Sequence, residues 1–382
     1  MTKILADLQE NNLLRNPVVL QSAAGATVKI NNQELICFCS NDYLGLANDP
    51  QIKKSAKNAI DRWGLGTGAS RLVSGSMVPH CELEQKIAEF KRTEDAVVLS
   101  TGWMSNRAAI TSLVDTGDVI FCDKLNHASI IDATGGTKAR LRTYHHCDMD
   151  RLEFLLKKHR SNYNRAIIIT DGIFSMDGDL APIDKLVELK NNYNARLFVD
   201  DAHGTGVLGK NGTGTAELFG LSNEIDVTVG TFSKALGSIG GFIAGAKPFI
   251  DVIRNTARSY IYTTAQPAMT CVAVSKAIDI IKSEPTRREH LHEMSTWLRN
   301  SLVQAGFDIL NSQTQIIPIV IGQAKQAVIL SKRLLDAGFL VPAIRPPTVP
   351  IGSSRLRVSL SSDHSFDQVR ALFNAICDYA CK

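Results

Sequence analysis

Residues 226–245, DVTVGTFSKALGSIGGFIAG, place one lysine between two apolar runs. The runs DVTVGTF (226–232) and GGFIAG (240–245) suit strands that are buried on both faces. Lys234 follows the first run among small residues and glycines. Most loop lysines are solvated, but a partly desolvated lysine can stay neutral and act as a Schiff-base nucleophile. This stretch alone does not choose between the two roles.

Further short apolar runs extend the pattern and alternate with helix patterns at 150–160 and 183–194. These runs are DAVVLS (95–100), DVIFCD (118–123), RAIIITDG (165–172) and ARLFVDD (195–201). The alternation predicts an α/β fold with a mostly parallel central sheet flanked by helices. From about residue 285 the pattern indicates a smaller α+β domain. We therefore predict three parts: an N-terminal segment (1–45), a large α/β domain (46–284) and a small C-terminal domain (285–382).

The composition excludes several classes of protein. Of the 382 residues, 44% are apolar and 21% are charged, and the net charge is +4. The mild charge has no long like-charge block, so it predicts neither nucleic-acid binding nor binding to a membrane surface. Eight cysteines without a CxxC pair argue against a disulfide scaffold and a metal site. Because no signal-peptide pattern and no apolar run of about 20 residues occurs, we predict a cytoplasmic protein.

Asp200 ends the apolar run in ARLFVDDAHGTGVLG (195–209). Ligands of open α/β sheets bind at the carboxyl ends of the strands. A carboxylate at such a position needs a positive partner, and the protonated nitrogen of a pyridine cofactor would be one. His203, three residues later, could bind the phenolic oxygen of the same ring.

Two alternatives use the same stretch. A metal ion could bind Asp200, Asp201 and His203, but no HxxxH pair or further ligand cluster supports such a site. A dinucleotide could bind the pattern GxGxxG, which needs a helix directly after it, and the following residues GKNGTG open none. The glycines of this pattern are Gly204, Gly206 and Gly209.

Two other strand ends carry groups that a cofactor needs. In LSTGWMSNRAAI (99–110), Gly102 opens a helix whose free N–H groups suit a phosphate, which Trp103 could shield. In DKLNHASIIDA (123–133), His127 could stack on a flat ring and take part in proton transfer. Taken singly, a plain helix cap and a solvated histidine are the commoner explanations.

A phosphate anchor, a stacking ring, a carboxylate and a Schiff-base lysine are together what pyridoxal 5'-phosphate (PLP) requires. The sequence resembles, nearly end to end, the α-oxoamine synthase family of fold type I PLP enzymes. These enzymes condense an amino acid with an acyl thioester and release CO2. The motifs that carry the resemblance are FCSNDYLGLAND (38–49), GTGASRLVSGSMVPHCELEQKIAEF (66–90), GIFSMDGDLAPI (172–183), VDDAHGTGVLG (199–209), TFSKALGSIGG (231–241) and RPPTVPIGSSRLRVSLS (345–361).

The resemblance implies a role for each candidate residue. The catalytic residues would be Lys234 as the Schiff-base lysine, Asp200 at the pyridine nitrogen and His127 stacked on the ring. The further cofactor-binding residues would be Ser175 and His203 at the phenolic oxygen, and Gly102, Trp103 and Thr231 near the phosphate. Substrate binding would involve His127, Arg15, Asn41, Thr348 and Arg357. Arg355 and Arg357 share one strand face, and the family pattern favours Arg357 as the clamp for the substrate carboxylate.

Within that family, AIRPPTVPIGSSRLR (343–357) implies a branch that joins L-alanine to a pimeloyl thioester in biotin synthesis. A branch that joins glycine to acetyl-CoA is the nearest alternative. A non-catalytic subunit and a nicotinamide dehydrogenase are alternatives of other classes, and the presence of Lys234, Asp200, His127 and Arg357 argues against the former. The acyl group could arrive on coenzyme A or on an acyl-carrier protein. The resemblance also implies a homodimer.

Overall fold

The computed structural model describes the backbone of residues 2–380 and the side chains of residues 4–380. The chain divides into two compact units. The larger unit comprises Asp49–Phe174 and Leu180–Pro285, and the smaller comprises Met1–Asn48, Ser175–Asp179 and Thr286–Lys382. Residues of the predicted N-terminal segment thus share a unit with those of the predicted C-terminal domain.

The helices and strands are numbered in chain order. The strands are β1 (Thr27–Ile30), β2 (Gln33–Cys37), β3 (Asp95–Leu99), β4 (Val119–Asp123), β5 (Arg140–Tyr144), β6 (Ala166–Asp171), β7 (Arg196–Asp200), β8 (Val227–Thr231), β9 (Gly241–Gly245), β10 (Ile316–Gly322), β11 (Phe339–Leu340), β12 (Ala343–Ile344) and β13 (Ser354–Ser359). The helices are α1 (Thr2–Glu10), α2 (Pro50–Trp63), α3 (Val78–Lys91), α4 (Gly102–Leu113), α5 (Ala128–Gly135), α6 (Met149–His159), α7 (Ile183–Asn192), α8 (Thr215–Leu218), α9 (Lys247–Thr256), α10 (Arg258–Ile261), α11 (Ala268–Ser283), α12 (Thr286–Gln304), α13 (Ala324–Asp336) and α14 (Phe366–Ala380).

The larger unit is built on a seven-stranded sheet of order β3-β9-β8-β7-β6-β4-β5. In this sheet β9 runs antiparallel to both of its neighbours, and the pairs from β8 to β5 are parallel. The prediction of a mostly parallel sheet is therefore confirmed. Because β3 and β8 each run opposite to β9, their carboxyl ends lie at the same edge as those of β4, β6 and β7.

The apolar runs form central strands because both faces of this sheet are covered. On one face, Ile120 and Ile167 pack in a cluster with Ile110 of α4 and Ile250 of α9. On the other face, side chains of the alternate strand positions, such as Phe121, pack with residues of α6 and α7. Every residue of β4 and β6 is buried. A strand covered on both faces needs apolar residues at successive positions, which is the pattern in the sequence.

The smaller unit contains two three-stranded sheets, of order β1-β2-β11 and β10-β13-β12. In the second sheet β10 and β13 are antiparallel, with Pro318 opposite Arg357. The part of the chain predicted to form a smaller α+β domain opens with α12. Within the described residues, no helix combines the length and the apolar character that crossing a membrane requires.

His364 makes the stability of the smaller unit depend on pH. Its ring is 2% exposed and stacks on Phe38 at 4.3 Å between centroids. Its Nδ1 accepts the N–H of Ser361 at 3.0 Å, and its Nε2 lies 3.2 Å from the carbonyl oxygen of Cys37. Burial lowers the pKa of His364 to about 4, whereas that of an exposed histidine is about 6.5.

The unfolded chain therefore takes up this proton at a higher pH than the folded chain does. The stability that neutral His364 contributes is complete above pH ~6.5 and is lost as the pH falls toward ~4. We expect His364→Gln to remove this part of the pH dependence, measured as the free energy of unfolding in denaturant between pH 4.5 and 7. His145→Gln, at an exposed histidine, is the control. An unchanged slope in His364→Gln would contradict the assignment.

Candidate active site

The candidate catalytic residues lie at the carboxyl edge of the larger sheet. Asp200 is the last residue of β7 and is paired in register with Asp171 of β6 and Val229 of β8. Lys234 follows β8 by three residues, and His127 follows β4 by four. Parallel strands end at one edge, so the sheet brings together groups that are distant in sequence.

The charges of Asp200 and Lys234 both act on the imidazole of His127. Desolvation by burial lowers the pKa of His127, the charge of Asp200 opposes this change, and the charge of Lys234 adds to it. Burial also raises the pKa of Asp171 well above its usual range, and the charge of Asp200 raises it further. The ring of His127 therefore lies within the electrostatic influence of a carboxylate and an amino group at this edge.

The carboxylate of Asp200 is fixed by two hydrogen bonds. Its Oδ2 accepts from Nδ2 of Asn106 at 2.6 Å, and its Oδ1 accepts from the N–H of Ala202 at 3.0 Å. Asp200 is 9% exposed. Asn106 lies in α4 and is not among the candidate residues that the sequence indicates. The motif that contains it begins at the predicted phosphate site, but a polar residue inside a helix pattern carries no signal of its own.

The start of α4 provides the candidate phosphate site. The side chain of Thr101 caps the helix by accepting from the N–H of Met104 at 3.1 Å. A Cβ at Gly102 would lie 3.2 Å from Cβ of Thr231, so glycine allows α4 to approach the end of β8. The hydroxyl of Thr231 donates to the carbonyl of Gly240 at 2.8 Å. Free N–H groups at a helix start favour an anion at this place.

The rings of His127 and Trp103 lie edge to face, with centroids 6.0 Å apart and an angle of 77°. His127 caps α5, and its own N–H donates to Oδ2 of Asp171 at 2.9 Å. Trp103 is 45% exposed. The structure therefore places the two predicted rings side by side at the sheet edge. His203, also predicted to bind the cofactor, is buried in the turns that follow β7.

The neighbouring carboxylate, Asp201, has a different environment. Its Oδ2 forms a buried ion pair with Nζ of Lys91 at 2.8 Å, and its Oδ1 accepts from the hydroxyl of Thr215 at 2.6 Å. These bonds occupy both oxygens, which removes Asp201 from the alternative metal site. The dinucleotide alternative also lacks its helix, because turns follow the glycine pattern and α8 is four residues long.

The candidate substrate arginine belongs to the smaller unit. Arg355 and Arg357 lie on one face of β13, and both are buried. Arg355 forms an ion pair with Asp177. Arg357 instead donates to the carbonyl of Ser175 at 2.6 Å and to neutral side-chain oxygens, which are Oγ of Ser359 and Oδ1 of Asn41.

The contrast between the two arginines has a chemical consequence. The charge of Arg355 is compensated by a carboxylate, whereas all hydrogen-bond acceptors of Arg357 among the described residues are neutral. A buried positive charge without a counter-ion favours a carboxylate ligand. Asn41 and Ser175 thus hold the guanidinium group of Arg357, which can bind a carboxylate.

Arg15 and Thr348 form a second contact in the smaller unit. Nη2 of Arg15 lies 3.5 Å from Oγ1 of Thr348 and 3.2 Å from the carbonyl oxygen of Pro346. Within the part of the chain that the structure describes, no hydrogen bond links this pair to Arg357. Four of the five predicted substrate residues therefore form two separately bonded pairs in this unit, and the fifth, His127, belongs to the larger unit.

The residues of the sheet edge fit PLP by their chemistry. The start of α4 offers N–H groups to a phosphate, Asp200 offers a fixed anion to a pyridinium nitrogen, and Lys234 offers an amine to an aldehyde. His127 supplies a ring that can stack on the cofactor.

Comparisons with known proteins agree with this fit. The family model of aminotransferases class I and II matches residues 33–376. The 8-amino-7-oxononanoate synthase of Geobacter sulfurreducens is 45% identical over 362 residues, which are 94% of this chain and 92% of that protein.

Solved structures show the same fold. A PLP-bound serine palmitoyltransferase from S. paucimobilis superposes with a TM-score of 0.94 at 28% identity, over 99% of this chain and 96% of that one. The 8-amino-7-oxononanoate synthase from Francisella tularensis gives a TM-score of 0.78 at 29% identity, over 90% of this chain and 97% of that one. The chain therefore belongs to the family of class I and II aminotransferases, has the fold type I architecture of PLP-dependent transferases, and groups with the 8-amino-7-oxononanoate synthases.

Proposed function

We propose that this protein condenses L-alanine with a pimeloyl thioester to give 8-amino-7-oxononanoate, CO2 and the free thiol, as a step of biotin biosynthesis. The observation that carries the proposal is the 45% sequence identity to an 8-amino-7-oxononanoate synthase over 94% of this chain. The site supports it, because Lys234, Asp200 and His127 share one sheet edge and Arg357 is suited to a carboxylate. The reaction class is a PLP-dependent acyl transfer.

The residues divide the chemistry among them. When bound, PLP supplies an electron sink that stabilises negative charge at the α-carbon of the amino acid. Asp200 is the fixed anion that keeps the pyridine nitrogen protonated, and the start of α4 binds the phosphate. Lys234 removes the α-proton of L-alanine and later returns a proton to the same carbon. Arg357 binds the carboxylate of the substrate through a charge-assisted hydrogen bond.

The bonds that change follow from the products. The α-carbon of L-alanine forms a bond with the carbonyl carbon of the thioester, and the C–S bond breaks. The departing thiolate takes up a proton and leaves as the free thiol. The bond between the α-carbon and the carboxylate then breaks and releases CO2. His127, beside Lys234 and Asp200, can donate a hydrogen bond to the carbonyl oxygen that gains electron density.

The proposal is tested by product analysis with the purified, PLP-loaded protein. L-alanine, glycine and L-serine are each combined with pimeloyl, acetyl and palmitoyl thioesters, and products are identified by mass spectrometry. We expect 8-amino-7-oxononanoate from L-alanine and a pimeloyl thioester as the preferred product. Preference for glycine with acetyl-CoA, or for L-serine with palmitoyl-CoA, would overturn it. Pimeloyl groups on coenzyme A and on acyl-carrier protein are compared in the same assay.

Arg357 is expected to determine the affinity for the amino acid. A charge-assisted hydrogen bond contributes about 1.5–3 kcal/mol, so Arg357→Met should raise the KM for L-alanine about 10- to 100-fold and change kcat less. Steady-state kinetics measures this. The control removes the neighbouring ion pair as a unit in the double variant Arg355→Met/Asp177→Asn, which we expect to change KM less. An equal rise in both proteins would exclude a specific role for Arg357.

A cytoplasmic location and a homodimer are also part of the proposal. The cysteines of the described residues are all free thiols, the form that a reducing compartment maintains. A group of exposed apolar side chains supports the dimer: Val73 is 81% exposed and Tyr262 is 71% exposed. The bridge between Ser70 and Thr264 brings their segments together. An exposed apolar patch of this kind is typical of a protein interface.

We therefore expect Val73→Asp to weaken the dimer, because it places a charge in the patch. Light scattering coupled to size-exclusion chromatography at several concentrations measures the mass. Val303→Asp, at an exposed valine of the smaller unit, is the control. A wild-type protein that is monomeric at all concentrations, or a Val73→Asp protein that stays dimeric like the control, would contradict this surface as the interface.

A further inference from the structure

A continuous chain of hydrogen bonds connects Asp200 to the ring of His127. Nδ2 of Asn106 donates to Oδ2 of Asp200 at 2.6 Å and to Oγ of Ser129 at 2.8 Å. Oγ of Ser129 lies 2.7 Å from Nδ1 of His127. Asn106 is 4% exposed and Ser129 is 1% exposed, so bulk water does not compete for these bonds.

Each bond in this chain has one direction. The Asp200 carboxylate only accepts, so it requires an N–H group of Asn106. Asn106 has two N–H hydrogens, and the second one points to Oγ of Ser129. Because that oxygen accepts from Asn106, its own hydrogen is directed to Nδ1 of His127.

A second, independent contact gives the same direction. The backbone N–H of Ser129 also points to Nδ1 of His127, at 3.3 Å. A backbone N–H can only donate, so a hydrogen on Nδ1 would face another hydrogen. Nδ1 is therefore the unprotonated nitrogen, and in the neutral ring the hydrogen is on Nε2. Among the described residues, Nε2 has no hydrogen-bond partner, so this N–H is available to a bound reactant.

We propose that Asn106 and Ser129 are positioning residues that hold His127 as the Nε2–H tautomer, so that the ring donates a hydrogen bond to the reactant and does not act as a base. This inference rests on the proposed function, since it assigns the part of His127 in that reaction. Nδ1 is engaged by Ser129, and Nε2 already carries its proton, so neither nitrogen can take the α-proton. That task is left to Lys234.

Nitrogen NMR of the PLP-loaded wild-type protein, with 15N-labelled histidine, tests the tautomer directly. The Nδ1 and Nε2 signals of His127 are assigned by comparison with His127→Gln. We expect Nδ1 to have the chemical shift of an unprotonated ring nitrogen and Nε2 that of a protonated one. The reverse pattern, or a doubly protonated ring near neutral pH, would overturn the proposal.

Two variants test the role of the positioning residues. Ser129→Ala removes the hydroxyl donor, and Asn106→Leu removes the group that orients it. In Ser129→Ala the backbone N–H at position 129 still points to Nδ1, but at 3.3 Å it is a weaker contact than the hydroxyl at 2.7 Å. In both variants we therefore expect a measurable population of the Nδ1–H tautomer, with kcat up to about tenfold lower and the KM for L-alanine changed less than twofold. Ser112→Ala is the control: its hydroxyl is buried in the same helix and has no hydrogen-bond partner among the described residues.

The outcomes separate this inference from the proposed function. A variant that keeps the single tautomer of the wild type overturns the positioning role, whichever product the enzyme makes. A wild-type protein that forms another acyl-transfer product overturns the proposed substrates, and the tautomer measurement then still decides the state of His127. If neither variant folds, the wild-type spectrum alone decides the tautomer.

Discussion

Lys234→Ala is expected to lower kcat about 10⁴-fold or more, because one change removes both the nucleophile for the cofactor and the base for the α-proton. Product formation from L-alanine and a pimeloyl thioester measures the loss. Covalent attachment gives a second readout that does not depend on turnover. After treatment with PLP and borohydride, the wild-type chain should gain the mass of one phosphopyridoxyl group at Lys234, and the variant should gain none there.

Lys124→Ala is the matched control for this experiment. Lys124 is an exposed lysine directly after β4, at the same edge of the sheet. We expect this variant to keep both the activity and the labelling at Lys234. Labelling at another lysine, or condensation by Lys234→Ala at a rate near that of the wild type, would show that a different amine does the chemistry.

Asp200→Asn is expected to lower kcat about 10²- to 10³-fold with little change in the melting temperature. In the proposed reaction the substitution would remove the anion assigned to the pyridine nitrogen, and the expected loss corresponds to about 3–4 kcal/mol of transition-state stabilisation, while Asn has nearly the same size as Asp. Steady-state kinetics and thermal unfolding of the PLP-loaded protein are measured together. The visible spectrum should also change, because the charge on the ring nitrogen changes.

The adjacent residue provides the control. Asp201→Asn leaves Lys91 as an uncompensated buried cation, since Nζ of Lys91 lies 2.8 Å from Oδ2 of Asp201 and both side chains are less than 5% exposed, at 4% and 3%. We therefore expect this variant to lose stability and to change kcat much less. If Asp201→Asn lowers kcat as strongly as Asp200→Asn at equal stability, the two carboxylates do not have the separate roles assigned here.

Most of the larger sheet could be predicted from the sequence, because strands covered on both faces need successive apolar residues. The run RAIIITDG (165–172) became β6, in which every residue is buried. The candidate residues at the sheet edge could also be found, because Asp200 ends such a run and His127 follows another by four residues. Asn106 could not be found, because a buried asparagine within a helix has the same local pattern as an exposed one. Its function depends on Asp200, which is 94 residues away in the chain.

Two pairs of residues show which features could not be predicted from the sequence alone. Alternation along β13 places Arg355 and Arg357 on one face, and the end of β7 places Asp200 and Asp201 side by side; both facts follow from the sequence and from the geometry of a strand. The ionic partner of each charge does not follow from the sequence. Asp177 neutralises Arg355 and Lys91 neutralises Asp201, and the two remaining charges, Arg357 and Asp200, are those that the proposed function assigns to ligands. The sequence determined which charges lie near the strand ends. Only the tertiary structure decided which of them are already paired, because their counter-ions come from segments that are distant along the chain.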